Sequence, residues 1–248
     1  MKIFSVFGIT QSGKTTTIEN IISELKRRRY SVGSVKEIHF EGFAIDSEGS
    51  NTHRHKMAGS ELVTARGYYE TDILFPRQLS IEKILNFYDQ DYVVLEGVTD
   101  YNLPKIITAH NTEEIAERSD ESVFAISGKI SNQLEEYKGI PIINAMDNIT
   151  ALVDLIEEKV YEKLPDFPPE CCNICGYNCR QLGVRILKGE AKREDCLISD
   201  KSIKLVIDGT EIDMVPFVQN ILHNAVEGVV KELKGYRKGA KVTIKIGE

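Results

Sequence analysis

One stretch near the start of the chain determines its architecture: Ile3-Phe4-Ser5-Val6-Phe7-Gly8-Ile9-Thr10-Gln11-Ser12-Gly13-Lys14-Thr15. Its first five residues form an apolar run that is typical of a strand. Residues 8–15 match the pattern G-x-x-x-x-G-K-[ST] at every fixed position. A loop of this kind, placed between a strand and a helix, curls around phosphate and presents its backbone N–H groups to the anion. The stretch therefore predicts a phosphate-binding loop.

The residues that follow the loop predict a helix and then a second strand. Ile18, Ile21 and Leu25 recur at the spacing of one helical face, and residues 31–35 are strand-like. A strand, loop, helix and strand in this order are typical of a parallel sheet. Further strands are predicted at 92–95, 105–108, 122–126 and 140–143, and a further helix at 149–160. We therefore expect an α/β fold, a P-loop NTPase domain with a mostly parallel sheet.

The loop pattern also assigns chemistry to particular side chains. Lys14 is expected to reach the β- and γ-phosphates of a nucleotide, and the Thr15 hydroxyl is expected to bind Mg²⁺. The phosphates as a whole are expected to be bound by the loop and the first helical turn, that is by Thr10, Gln11, Ser12, Gly13, Lys14, Thr15 and Thr16.

A carboxylate that could complete the metal site follows the apolar run at 92–95. Glu96 ends this run in the sequence Leu95-Glu96-Gly97. The carboxyl ends of strands in a parallel sheet face the ligand crevice. We therefore expect Glu96 to bind Mg²⁺ through water or to activate a water molecule. The alternative is an ordinary solvated glutamate after a strand.

The composition changes at Pro165-Asp166-Phe167-Pro168-Pro169, which reads as a stiff linker. We place a P-loop domain at 1–165, a cysteine-rich module at 166–200 and a small β-α-β unit at 201–248. In the last unit, strands are predicted at 203–207 and 241–246, and a helix at 215–229.

All five cysteines lie between positions 171 and 196, and four of them follow the pattern C-x₂-C-x₃-C-x₁₆-C. The four are Cys172, Cys175, Cys179 and Cys196, with Cys171 as the remaining one. Four thiolates suit a [4Fe–4S] cluster or tetrahedral Zn²⁺. We expect the cluster, with zinc and redox-active thiols as the alternatives.

Composition restricts the classes of partner. The 248 residues carry a net charge of −7, which argues against broad contact with nucleic acid or anionic lipid. No apolar run approaches the ~18 residues that a membrane helix needs. We expect a cytoplasmic protein that binds neither nucleic acid nor membrane.

Several short motifs together resemble the family of molybdopterin-guanine dinucleotide biosynthesis protein B (MobB), over residues 1–160. They are Gly8 to Lys14, Val35-Lys36, Asp46, Arg54-His55, Ala58-Gly59, Leu95-Glu96-Gly97 and Pro104-Lys105-Ile106. The resemblance implies a GTP-binding homodimer with weak GTPase activity that assists a partner enzyme, MobA, in attaching GMP to the molybdenum pterin. It also implies that Asp46 lies near the nucleotide or its metal, and that Glu96 lies at the Mg²⁺ ion.

The cysteine segment resembles a second group of proteins. Cys175-Gly176-Tyr177, Gly189-Glu190 and Cys196 are similar to the [4Fe–4S] modules of Rnf electron-transport subunits and corrinoid iron–sulfur proteins. The gap before Cys179 is one residue shorter than in those modules.

The leading hypothesis is a GTP-binding accessory protein of molybdenum or tungsten pterin guanine dinucleotide cofactor biosynthesis, at most a weak P-loop GTPase. The alternative is a nucleotide-driven metallochaperone, or a redox ATPase or GTPase that uses its iron–sulfur cluster. A small-molecule kinase is a third reading. The loop that carries His39, His53 and His55 has no assigned role.

Overall fold

The computed structural model divides the chain into two compact units, Met1–Lys163 and Leu164–Glu248, and each is described by itself. The residues that the structure describes are 1–167, 172, 175–196, 203, 205–207, 210–212, 214, 216–237 and 242–244. The second unit contains the residues of both predicted modules, 166–200 and 201–248, and the boundary between these modules stays a prediction.

The first unit alternates strands and helices. Its strands are β1 (Lys2–Gly8), β2 (Val32–Lys36), β3 (Val63–Arg66), β4 (Thr71–Leu74), β5 (Tyr92–Glu96), β6 (Lys105–Thr108), β7 (Val123–Ser127), β8 (Glu136–Tyr137) and β9 (Ile140–Pro141). Its α-helices are α1 (Lys14–Arg27), α2 (Asn51–Met57), α3 (Ile81–Leu85), α4 (Thr112–Arg118) and α5 (Ile149–Lys159).

Five of these strands form one parallel sheet in the order β2-β5-β1-β6-β7. β1 lies at the centre, and the loop that follows it emerges at the carboxyl edge of the sheet. The prediction of an α/β fold with a mostly parallel sheet is confirmed.

The core follows from the apolar character of the central strands. Every residue of β6 and β7 is buried, as is every residue of β5 except Glu96. One apolar cluster gathers around Phe7, Ile107 and Ile126, and a second around Ile3 and Val93. Each large apolar side chain that is fully buried contributes about 1.5–3 kcal/mol to folding, so the sheet is a rigid platform for the loop at its edge.

The first unit differs from the sequence-based expectations in two places. A hairpin formed by β3 and β4 was not predicted. The strand predicted at 140–143 is wrong in its extent, because β9 covers only two residues and Ile142 adds one isolated parallel bridge to Ile126. Its short length follows from the antiparallel pairing of β9 with β8, which uses the residues before that bridge.

The second unit contains α6 (Cys179–Leu187), the antiparallel strands β10 (Leu205–Ile207) and β11 (Thr210–Ile212), and α7 (Pro216–Val230). Asn178 caps α6 in a capping box with Gln181. A hairpin thus precedes the helix where a single strand was expected. The strand predicted at 241–246 lies outside the described residues except at 242–244, which form no strand. No helix in the described part of the chain is long and apolar enough to cross a membrane.

An ion-pair network closes the end of α1. Glu24, only 6% exposed, accepts hydrogen bonds from Arg27 at 2.6 Å and from Arg28 at 2.9 Å. Arg28 also bonds Glu157 of α5 at 2.6 Å, so the network joins the two helices. The hydrogen bonds from Arg27 and then Arg28 lower the pKa of Glu24 to about 2, from an ordinary value of 4.5.

Glu24→Gln is expected to lower the free energy of unfolding by about 1–2 kcal/mol at pH 7, because the hydrogen bonds from Arg27 and Arg28 lose their anionic acceptor. A lowered folded-state pKa adds stability above 4.5 that disappears as the pH falls through about 2. Urea denaturation should therefore show that the difference in free energy of unfolding between variant and wild type becomes smaller from pH 5 downward. Glu19→Gln, at an exposed position of the same helix, is the control. A gap that stays constant down to pH 3 would contradict the role of this charge.

Candidate nucleotide-binding site

The phosphate-binding loop is braced from behind by the neighbouring strands. Ser12 is fully buried, and its hydroxyl lies 2.7 Å from that of Thr108 at the end of β6. The carbonyl oxygen of Ser12 accepts a hydrogen bond of 3.1 Å from the N–H of Lys129. The loop is thus fixed by contacts to residues about a hundred positions later in the chain.

Gly128 permits this close approach. Its backbone has φ of 81° and ψ of −154°, a conformation that is essentially restricted to glycine. A Cβ atom at this position would lie 2.2 Å from the carbonyl oxygen of Ser12. Glycine is therefore required here both by conformation and by space.

His110 supports the other side of the loop. Its Nε2 lies 3.1 Å from the carbonyl oxygen of Gln11, and its Nδ1 lies 3.2 Å from the carboxylate of Glu114. A carbonyl oxygen only accepts hydrogen bonds, so Nε2 carries the proton in this contact. Gln11 itself has a φ of 60°, and the histidine holds the carbonyl of this left-handed residue.

The loop opens into a cavity of about 1080 Å³, a size typical of large ligand sites. The lining comprises Phe7, Gly8, Ile9, Thr10, Gln11, Gly13, Lys14, Thr15, Thr16, Lys36, Glu37, His39, Glu96, Gly97, Thr99, Lys105, Arg118, Asp120 and Lys129. All the residues predicted to bind phosphate line it except Ser12, which lies beneath the loop as a brace.

Lys14 bends back along its own loop. Its Nζ donates to the carbonyl oxygen of Gly8 at 3.0 Å and to that of Ile9 at 2.5 Å. Burial lowers the pKa of Lys14; nearby Glu96 opposes this shift, and the positive charge of Lys36 adds to it. The ammonium group thus stands at the mouth of the loop, where it can exchange carbonyl oxygens for phosphate oxygens.

Glu96 lies where the sequence predicts it, at the carboxyl end of β5 beside the loop. Its Oε1 accepts hydrogen bonds from the Thr15 hydroxyl at 3.2 Å and from Lys36 Nζ at 2.6 Å. A threonine hydroxyl and a carboxylate that meet at one point are suitable ligands for Mg²⁺, which binds oxygen in a compact geometry. The side chains present therefore fit the metal that the loop implies.

Asp46 does not line the cavity. It lies in the loop before α2, where its Oδ1 accepts hydrogen bonds from Ser50 at 2.7 Å and Thr52 at 2.8 Å. These two hydrogen bonds lower the pKa of Asp46. His39 lines the cavity, whereas His53 is in α2 and accepts from the N–H of Gly49 at 3.3 Å. A nucleotide-binding role for Asp46 stays a prediction.

The cysteine segment belongs to the second unit. Cys172, Cys179 and Cys196 are 6–9% exposed, and Cys175 is partly buried. Burial raises the pKa of the Cys179 thiol, a backbone hydrogen bond at Phe167 opposes this, and nearby Cys172 and Cys196 add to it. Among the described residues, no group of three or more His, Cys, Asp or Glu side chains is arranged to hold a metal ion. The cluster therefore stays a prediction.

The sequence analysis missed the residues that support the loop. Thr108 is the last residue of β6, and His110 and Gly128 come just after β6 and β7. Their position at strand ends was the available signal. Lys36 was quoted as part of a motif, but nothing in the sequence assigned its partner.

A braced loop ahead of a helix, with a lysine, a threonine and a strand-end glutamate around one cavity, defines a P-loop nucleotide-binding protein. The family model described as molybdopterin guanine dinucleotide synthesis protein B matches residues 3–129, just over half of the chain. The chain belongs to this MobB family.

Relatives in three organisms are described as molybdopterin-guanine dinucleotide biosynthesis adapter proteins. The relative from Methanocaldococcus jannaschii is 27% identical over 253 residues, covering 99% of this chain and 97% of the relative. That from Bacillus subtilis is 25% identical and covers 59% of this chain and 87% of the relative. The relative from Haemophilus influenzae is 30% identical and covers 64% of this chain and 89% of the relative.

Solved structures support the same fold. The crystal structure of Bacillus subtilis MobB aligns with a TM-score of 0.55 and 23% identity, covering 66% of this chain and 100% of that one. A second structure of the same protein aligns with a TM-score of 0.52 and 22% identity. At these identities the likeness concerns the fold alone.

Gly128→Ala is expected to weaken nucleotide binding at least about tenfold, because the new Cβ displaces Ser12, and to cost about 1–3 kcal/mol of stability through its backbone conformation. Isothermal titration and thermal unfolding measure the two effects. Gly139→Ala is the matched control, because its φ of 82° is similar but no atom lies within 4 Å of the added Cβ. Equal effects of the two variants on nucleotide binding would contradict the bracing role of Gly128.

Proposed function

We propose that this protein is a GTP-binding accessory protein of molybdenum or tungsten pterin guanine dinucleotide cofactor biosynthesis. The observation that carries the proposal is the convergence of Lys14, Thr15 and Glu96 at one mouth of a braced phosphate-binding loop, in a member of the MobB family. The names of the relatives, adapter proteins for molybdopterin-guanine dinucleotide biosynthesis, support the pathway.

In this proposal each group at the loop has a defined task. The N–H groups at the start of α1 and the Lys14 ammonium bind the β- and γ-phosphates. Thr15 and Glu96 hold Mg²⁺, which neutralises phosphate charge when bound. The guanine base is inferred from the family rather than from a base-reading contact in the cavity.

Slow hydrolysis is consistent with the surroundings of Glu96. Its Oε1 already accepts hydrogen bonds from both Thr15 and Lys36. A water molecule activated by Glu96 would have to compete with these donors. We therefore propose that Glu96 acts mainly at the metal and that hydrolysis is slow without the partner enzyme.

The partner follows from the same family. We propose that the chain acts as a homodimer and supports a MobA-like enzyme that attaches GMP to the pterin. The description of the relatives as adapter proteins favours this role over an independent metallochaperone or redox NTPase.

We further propose that the cysteine segment binds a [4Fe–4S] cluster through Cys172, Cys175, Cys179 and Cys196. The four-thiol donor set suits iron–sulfur ligation, with tetrahedral zinc as the competing occupant. Burial of three of the four thiols in one unit, and the contributions of nearby Cys172 and Cys196 to the raised pKa of Cys179, support this assignment.

Lys14→Ala is expected to abolish detectable GTP binding, because it removes the ammonium group that pairs with the phosphates. Equilibrium dialysis with GTP measures the loss. With a MobA-like enzyme, pterin cofactor and GTP, the wild-type protein is expected to raise the yield of guanine dinucleotide cofactor and the variant is not.

Lys26→Ala, an exposed position of α1 outside the cavity, is the control for this experiment. Unchanged GTP affinity in Lys14→Ala would refute the site. An equal product yield with and without the wild-type chain would refute the accessory role. Sedimentation of the same preparation tests the dimer by its mass.

The cluster proposal predicts that protein purified without oxygen is brown and contains about four iron and four sulfide ions per chain. Cys179→Ser is expected to lose most of this iron, while Ser127→Ala, in the first unit, keeps it. One zinc ion per chain and no iron would overturn the cluster in favour of a structural metal site.

A further inference from the structure

The ion pair between Lys36 and Glu96 is built into the sheet. Lys36 is the last residue of β2 and lies directly opposite Glu96 of β5 in the parallel register. The N–H of Glu37 donates to the carbonyl oxygen of Glu96 at 2.9 Å, which fixes this register at the edge of the cavity. Residues opposite each other on neighbouring strands place their side chains on the same face of the sheet. The fold therefore fixes the positions of the two residues relative to each other.

Lys36 occupies the oxygen that the proposed metal site requires. Its Nζ lies 2.6 Å from Glu96 Oε1, and the Thr15 hydroxyl lies 3.2 Å from the same atom. A divalent cation held by Thr15 and Glu96 would face the Lys36 ammonium at short range. Repulsion between two cations at such a distance is large in a partly buried site. Lys36 and the metal therefore compete for Glu96.

If a metal ion displaces Lys36 from Glu96, the terminal phosphate of a bound nucleotide is the most favourable new partner for its ammonium group. The side chain is 56% exposed, so its four-carbon stem is free to swing within the cavity that it lines with Lys14. The other acidic side chains of the lining are Glu37 and Asp120, and Asp120 already pairs with Lys105 at 2.9 Å. A terminal phosphate would bring more negative charge than either of them, and ammonium groups bind phosphate strongly.

We propose that Lys36 is a second phosphate-binding lysine that exchanges partners: it holds Glu96 when no metal is bound there, and it contacts the terminal phosphate of a nucleoside triphosphate when Mg²⁺ takes its place. This inference rests on the proposed function of the site. The exchange disfavours binding of the metal alone and favours joint binding of metal and triphosphate. It also distinguishes a triphosphate from a diphosphate, because only the former extends to Lys36.

Lys36→Met tests separately the effect of Lys36 on metal binding and its effect on triphosphate binding. The variant is expected to bind Mn²⁺ alone about threefold more tightly, because the competing exposed ion pair is gone. With Mg²⁺ present, its affinity for GTP is expected to fall about tenfold, because a charged hydrogen bond is lost. Its affinity for GDP should change by less than about twofold. Electron paramagnetic resonance of free Mn²⁺ and fluorescently labelled GTP and GDP measure these values on the full-length chain.

Lys36→Arg and Lys26→Met complete the design. The arginine variant keeps the charge and is expected to recover most of the preference for GTP over GDP, whereas Lys26→Met is expected to match the wild type in every measurement. Parallel losses of GTP and GDP affinity, or a gain in GTP affinity in Lys36→Met, would overturn the proposal. Tight GTP binding by the wild type with an unchanged Lys36→Met would overturn this inference alone. Failure of the wild type to bind GTP would overturn the proposed function as well.

Discussion

The phosphate-binding loop keeps its shape because Ser12 is held between Thr108 and the backbone of Gly128. A loop that presents free N–H groups to an anion cannot satisfy them internally, so its conformation must be imposed from outside. The parallel sheet supplies this constraint: β6 lies beside β1 and β7 lies beside β6, and residues at the carboxyl ends of β6 and β7 contact the loop. The position of the cavity, of Lys14 and of Thr15 depends on this contact.

A second constraint is electrostatic and centres on Glu96. One carboxylate oxygen serves a hydroxyl of α1 and an ammonium of β2, so it connects three elements of the first unit. A cation that binds Glu96 must displace the Lys36 ammonium from the same oxygen. Binding at this site is therefore coupled to the position of the Lys36 side chain at the end of β2.

The sequence predicts the parts of this site that depend on local pattern. The loop at 8–15, the buried strands and Glu96 are read from motif and apolar runs, and the parallel sheet follows from their order. Ser12 as a brace, the partner of Lys36 and the need for glycine at 128 depend on strand register between distant segments, which no local pattern encodes. The hairpin of β3 and β4 was missed because Val63–Arg66 and Thr71–Leu74 are short and mostly exposed.

The second unit, which carries the cysteines, differs from the first in its coverage by similar proteins and in the state of its thiols. A protein whose whole length corresponds to 66% of this chain adopts the fold in its own crystal structure, while the archaeal relative extends over 99% of it. The likeness of fold to that protein thus covers about two thirds of this chain. Ligation requires thiolates, yet burial and neighbouring sulfurs raise the pKa of Cys179 and favour its protonated form. A cation bound at the proposed site would oppose this shift at Cys179, because metal ligation stabilises the thiolate form.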